Sequence, residues 1–301
     1  MLCAYKAYKL VVWYGPREEN GSRLKIVITD KGTNWMKKLL FRCINRFGNA
    51  LSYRQSRFIL NTLGMGKFIG KLARNQFVDI SLPNGIFLTI NPLLHATLES
   101  GGQLAYEDDV LKTVEQHLTD GDIFYDVGAN VGVFSFMAAT LVSNKGKVLA
   151  FEPEKNNLEC FRRTLEHSSP KNVMLYDCAL GSKDGYMTFD RSGGAFSGHL
   201  AKSENETGGE AINVQVRAID SVVESGMAPP TFIKIDVEGG EGAVLEGARR
   251  TLEVHRPLVL CEMHHFAPEG IQRAFSVLSD AGYKCLTLDG KPIFGAQKVQ
   301  N

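Results

Sequence analysis

The chain has 301 residues, 44% of them hydrophobic and 22% charged, which excludes a disordered or low-complexity chain and allows one large core or two small ones. No run approaches the ~20 apolar residues of a membrane span, and the N-terminus lacks the basic head, apolar centre and cleavage site of a secretory signal. The net charge of +1 conceals an asymmetry, with 15 Lys/Arg against 3 Asp/Glu in residues 1–75 and 19 against 30 in the rest, so a basic arm precedes an acidic body.

Residues 1–35 show little periodicity and carry turn signals at Gly15-Pro16, Asn20-Gly21 and Lys31-Gly32. They are expected to form a poorly ordered extension, and Met36-Lys37-Lys38 reads as an alternative translation start. From Met36 the pattern changes. Met36, Leu39, Leu40, Cys43, Ile44 and Phe47 share one helical face, with Lys37, Lys38, Arg42 and Arg46 elsewhere. Residues 36–75 are therefore expected to be a basic helical arm. Its expected partner is an anionic membrane surface, with packing on the rest of the chain as the rival.

Residues 76–301 are expected to be one domain. Residues 77–90 read as a hairpin around Pro83-Asn84-Gly85, and 107–119 as a helix. Strands are expected at 122–127, 147–152, 172–177, 231–236 and 257–262, with helices at 131–142, 154–167, 241–253 and 268–281. Such alternation predicts an α/β fold, a parallel sheet with helices on both faces. Two strand-like stretches, 185–190 and 212–217, flank a Gly/Ser/Glu-rich loop. Residues 283–296 read as a closing hairpin around Asp289-Gly290. The six cysteines form no C-x-x-C pair, which argues for a reducing, cytoplasmic setting and against a disulfide or zinc scaffold.

The seam of the first strand–helix unit, Asp126-Val127-Gly128-Ala129-Asn130-Val131-Gly132, would lie at a carboxyl strand end, where open parallel sheets bind ligands. Gly128, Ala129, Asn130 and Gly132 let backbone approach a ligand and lead into a helix N-terminus. The dinucleotide pattern Gly-x-Gly-x-x-Gly fails at its second and third places, which disfavours a nicotinamide enzyme. Asp126 would repel pyrophosphate and suits a ligand with an ammonium or sulfonium group; S-adenosylmethionine has both and no phosphate. Glu152, at the second strand tip, is placed for the two ribose hydroxyls. At the third tip Asp177 is placed for the adenine amine, and Cys178 or Ala179 for the ring.

DVGANVG, FEP, YDCALGSKDG, IKIDVEGGE and LVLCEMHH follow one another in that order. Together they resemble the FkbM-type S-adenosylmethionine-dependent methyltransferases over residues 77–288. The resemblance implies a Rossmann-like, seven-stranded class I methyltransferase sheet, mostly parallel with an antiparallel last strand. It also implies methyl transfer to oxygen, on sugar or polyketide hydroxyls. The expected acceptor is a small molecule, a glycan or a related natural product.

Such a reaction needs alignment and a general base. Candidates at the fourth and fifth strand tips are Asp236, Glu238 and His264, with Glu262, His265 and His199 behind them. Glu241 reads as a residue favouring the positive end of a helix. The same acids and histidines could hold a divalent cation, but the spacing is a weak metal signal and no metal is expected. A non-catalytic adaptor anchored by its arm is the rival reading. A nucleic-acid substrate is disfavoured by the acidic body.

Overall fold

The computed structural model describes residues 7–13, 77–91, 94–95, 99–100, 103–104, 108–190, 199–200, 211–264 and 267–293. The expected basic arm, residues 36–75, lies outside them. The chain divides into two compact units. One comprises Met1–Ser22, Asp108–Leu158 and Pro170–Asn301; the other comprises Arg23–Glu107 and Glu159–Ser169.

The first element among the described residues is strand β1 (Ala7–Trp13). The hairpin β2 (Val78–Ser81) and β3 (Phe87–Ile90) follows, then the short pair β4 (Glu99–Ser100) and β5 (Gln103–Leu104). Helix α1 (Asp108–His117) leads into the alternating region. There β6 (Ile123–Val127), α2 (Val133–Leu141), β7 (Lys147–Phe151), α3 (Lys155–Ser168) and β8 (Val173–Tyr176) succeed one another. After β9 (Ala179–Leu180), β10 (Gly185–Asp190), β11 (His199–Leu200) and β12 (Ala211–Arg217) comes α4 (Ile219–Glu224). The chain then forms β13 (Phe232–Ile235), α5 (Glu241–Glu246), α6 (Arg249–His255) and β14 (Leu258–His264). It closes with α7 (Pro268–Asp280), β15 (Lys284–Thr287) and β16 (Pro292–Ile293).

The main sheet has the order β16-β15-β1-β14-β13-β6-β7-β8. Its five strands from β14 to β8 are mutually parallel, as their near-continuous apolar sequences require when both faces are covered. The chain moves outward from β6 to β7 and β8, then crosses back to β13, so the strand order reverses beside β6. The two faces separate by pleat. Tyr125, Val127, Leu149, Phe151, Ile233 and Ile235 share a buried cluster with Val244, Leu245, Leu252, Ile271 and Leu278 of the later helices. On the other face Asp126 meets Ser135 of α2, and Phe124 meets Phe232 edge to face at 5.3 Å.

Eight strands stand where seven were expected. Residues 7–13, expected in a poorly ordered extension, form β1, which lies between β14 and β15 and runs antiparallel to both. Its sequence AYKLVVW is rich in aromatic and β-branched residues that suit a pleated surface. The last strand, β16, is antiparallel to its neighbour β15. A second sheet, β11-β10-β12-β9, contains both strand-like stretches read between 185 and 217. In the other unit, β2 and β3 form the expected hairpin, turned by Gly85 at φ 84°. Among the described residues no helix is long and apolar enough to cross a membrane.

The helix expected over 241–253 is two helices. A Cβ on Gly247 would lie 2.0 Å from the Gly181 carbonyl oxygen, so the chain turns at a close backbone approach. The second helix is then capped from elsewhere: the Asp220 carboxylate accepts the Arg250 and Thr251 backbone N–H groups at 3.0 and 2.8 Å. Replacing an N-cap acceptor by alanine costs about 0.5–2 kcal/mol. Asp220→Ala is therefore expected to lower the unfolding free energy in urea by that amount and so to lower the midpoint, with Asp220→Asn losing less. An unchanged midpoint for Asp220→Ala would show that α6 does not depend on this cap.

Candidate active site

The carboxyl ends of β6, β7, β8, β13 and β14 bring the sequence-derived candidates to one edge of the sheet. The turn after β6 is built by backbone conformation. Gly128, Asn130 and Gly132 all have positive φ, at 76°, 53° and 96°. A Cβ on Gly128 would lie 1.9 Å from the Asp236 carbonyl oxygen, so only glycine lets the first and fourth strand tips touch. Gly128 and Ala129 each donate their N–H to the Phe151 carbonyl, which ties the same turn to the second tip. Gly128 and Asn130 are half-buried; Ala129 and Gly132 are buried.

Asp126 is held by side chains of the protein itself. It has no exposed surface. One oxygen accepts the Ser135 hydroxyl at 2.6 Å, and the other lies 3.5 Å from the Lys234 ammonium. Lys234 also donates to the Gly128 carbonyl at 3.2 Å, approaches Asp236 at 3.4 Å and lies 5.0 Å from the centre of the Phe134 ring. The expectation that Asp126 binds a cofactor's ammonium is thus corrected: the ammonium it meets belongs to Lys234. The signal for this was present as the single charge in the buried strand FIKI.

Glu152 is buried at the tip of β7. It accepts the backbone N–H groups of Glu154 and Asn130, each at 2.8 Å, and the Asn157 amide at 3.3 Å. A carboxylate has about four lone-pair directions, so about one remains for a ribose hydroxyl rather than the two expected. Burial pushes its carboxyl up to about 7, against the pull of the Glu154 and Asn130 N–H groups. Asp177 is exposed at the next tip, and Cys178 is buried, its thiol pushed up to about 11 by burial.

The fourth and fifth tips carry a charged group of a different kind. Asp236 and Glu238 are each a quarter exposed. The Nε2 of His264 lies 3.4 Å from Glu238, and its Nδ1 lies 2.7 Å from Glu241. Glu241, read from sequence as a helix-end residue, has no exposed surface and also accepts the Gly239 N–H at 2.9 Å. Its role depends on a histidine 23 residues away, which no local pattern reveals. Burial alone would lower the His264 pKa, but the bond to Glu241 and the charges of Glu241, Glu238 and Asp236 raise it to about 9. Burial pushes Glu238 up to about 7, with Asp236 and Glu241 adding and His264 opposing. Glu262 is half-buried. His265 lies outside the described residues, and His199 begins β11.

Removing one partner of a buried ion pair costs about 3–5 kcal/mol, because the other charge is left without compensation. Lys234→Met is expected to lose that much stability in urea unfolding, and Asp126→Asn combined with Lys234→Met to recover over half of it. A single variant as stable as the parent would remove the pair from the frame of the site.

The chain matches the family model described as the methyltransferase FkbM domain over residues 126–285. It is 33% identical, over 162 residues, to the hexuronic acid methyltransferase AglP of Haloferax volcanii; the match covers 52% of this chain and 62% of that relative. Among solved structures it is similar to the methyltransferase FkbM of Methylobacillus flagellatus, with 22% identity, a TM-score of 0.42, and coverage of 54% of this chain and 38% of the other. It is also similar to the precorrin-6y C5,15-methyltransferase of Geobacter metallireducens, with 16% identity, a TM-score of 0.39, and coverage of 63% and 79%. The family match takes in all five parallel strand tips, from Asp126 to beyond His264, and the chain belongs to the FkbM methyltransferase family.

Proposed function

We propose that the chain methylates a hydroxyl oxygen on a sugar acid, either free or within a glycan. The observation that carries this reading is the position of Asp236. Its backbone touches the Gly128 turn, while its partly exposed carboxylate opens the charged group at the fourth and fifth tips. Cofactor turn and acid–base group are thus one piece of structure. The likeness to a hexuronic acid methyltransferase supports a sugar acid as the acceptor class.

The residues at the first three tips suit the cofactor. The half-buried Gly128 and Asn130 offer backbone at the turn, Glu152 keeps one acceptor position for a ribose hydroxyl, and the exposed Asp177 can take the adenine amine. When bound, S-adenosylmethionine supplies a methyl group on a sulfonium, whose leaving thioether is neutral. What remains for this chain is to align the acceptor and to receive the hydroxyl proton. Asp236 is the base in this reading. His264, at about 9, is already protonated at neutral pH and cannot accept that proton; it steadies Glu238 and Glu241. The anionic membrane surface proposed as partner of residues 36–75, and with it a peripheral cytoplasmic location, rests on the sequence pattern alone.

Two measurements test the reading. If a ribose hydroxyl donates to Glu152, binding favours the ionised carboxylate, so binding below pH 7 releases a proton and affinity rises with pH towards the Glu152 value of about 7. Calorimetry of S-adenosylhomocysteine at pH 6, in buffers of different ionisation enthalpy, is expected to show net proton release in the parent and less in Glu152→Gln. Equal protonation in both would remove Glu152 from the ribose contact. For the chemistry, a positioned base contributes ~10²–10⁴ in rate. Asp236→Asn is expected to lose that much turnover on a uronate acceptor, with S-adenosylhomocysteine affinity changed only a few-fold. Turnover within a few-fold of the parent would leave the reaction to alignment alone.

A further inference from the structure

Among the described residues, the proposed acceptor side of the site brings together more carboxylates than cations. Asp126, Asp236, Glu238 and Glu241 converge on Lys234 and His264. Even with the histidine protonated, four carboxylates meet two cations. Acceptors also outnumber donors: Glu241 Oε2 is buried without a hydrogen-bond partner. The reading above would send a uronate carboxylate into this field, where like charges repel.

One oxygen of Asp236, one of Glu238 and a ring nitrogen of His264 lie within 4.8 Å of one another. Adjacent ligands on a small divalent cation stand about 3 Å apart, given bonds of about 2.1 Å. The Glu238–His264 pair, at 3.4 Å, is already near that spacing. Asp236 and Glu238 are partly exposed and can close the remainder by side-chain rotation. The histidine is set for the task by Glu241. A carboxylate only accepts, so the 2.7 Å contact at Nδ1 makes that nitrogen the donor, and Nε2, 3.4 Å from Glu238, becomes the ligating nitrogen when a cation displaces its proton. A histidine ligand commonly has such a buried carboxylate behind it, which fixes its tautomer and raises its basicity.

We propose that Asp236, Glu238 and His264 hold a divalent cation, with Glu241 orienting the histidine, and that this cation receives the acid acceptor. Two hard carboxylates with one borderline imidazole suit a first-row divalent cation such as Mn²⁺ better than Mg²⁺. Three protein ligands leave positions open for a hydroxyl and a carboxylate of the acceptor. The cation reverses the repulsion of the acidic group and polarises the hydroxyl oxygen, easing its deprotonation. The choice of acceptor rests on the function proposed above; the metal site does not.

The test uses the full chain, stripped with chelator and dialysed, and titrated with MnCl₂ while free Mn²⁺ is followed by electron paramagnetic resonance. One Mn²⁺ per chain is expected, with affinity falling at least tenfold in Glu238→Gln and in His264→Ala. Glu241→Gln, a positioning change, is expected to weaken Mn²⁺ binding by about 10–100-fold. S-adenosylhomocysteine affinity, measured alongside, is expected to hold in Glu238→Gln, which shows that the variant is folded. Absent Mn²⁺ binding, or binding that all three substitutions leave unchanged, overturns the site. Methyl transfer to a uronate that persists in chelator also overturns it while leaving the proposed function standing. Mn²⁺ bound with the expected variant pattern, but no transfer to uronates, upholds the site and overturns the acceptor assignment.

Discussion

A buried ammonium organises this sheet edge. Lys234 stands in register with Asp126 on the neighbouring strand, and its side chain reaches a second carboxylate and the Gly128 carbonyl. Taking a lysine out of water is expensive, and the expense is offset only by good geometry with several partners. That requirement makes the arrangement specific. A one-residue slip of β13 would turn Lys234 to the opposite face, away from Asp126 and into the apolar cluster of Ile233 and Ile235. The charge thus fixes strand register at the point where the strand order reverses.

From this register the rest of the site follows. With β13 held against β6, the Asp236 carbonyl lies where a Cβ of residue 128 would stand. The glycine turn is therefore shaped first by protein packing. Its backbone remains partly open because the same contact holds the two strand tips together. Phe151 and Glu152 brace the turn from the other side through the N–H groups of Gly128, Ala129 and Asn130. A glycine-rich motif is often read as room for a ligand. Here the room is a consequence of two strands touching.

The parallel strands were legible because burial on both faces leaves near-continuous apolar runs, and the hairpins at 77–90 and 283–296 because Asn-Gly and Asp-Gly mark their turns. What escaped the sequence was non-local. β1 is a seven-residue strand whose neighbours lie some 250 to 280 positions on, so no periodicity around it announced a sheet. The break between α5 and α6 comes from the Gly181 backbone pressing on Gly247 and from Asp220 capping across helices. In the site, the partners of the candidate residues come from other strands and helices. Asp126 was seen as an acid at a seam, but its cation comes from another strand. Glu241 was seen at a helix start, but its histidine closes a strand far along the chain.

The two halves of the site are built from different materials, and this divides their functions. At the first three tips the contacts are mostly backbone, and the principal acid, Glu152, spends most of its acceptor capacity on the chain itself. Such a surface tolerates little change, since each loss would leave a buried N–H without a partner. At the fourth and fifth tips the contacts are side-chain charges. Glu238 even adopts a positive φ of 53°, a conformation that glycine or asparagine would hold with less strain. A carboxylate kept there against local preference is explained by what the side chain meets, namely His264 and its acidic neighbours. Under the proposed function, changes of acceptor would come from residues 236–241 and 262–264 without disturbing the turn proposed for the cofactor, because the backbone contacts and the charge group meet at the tip of β13.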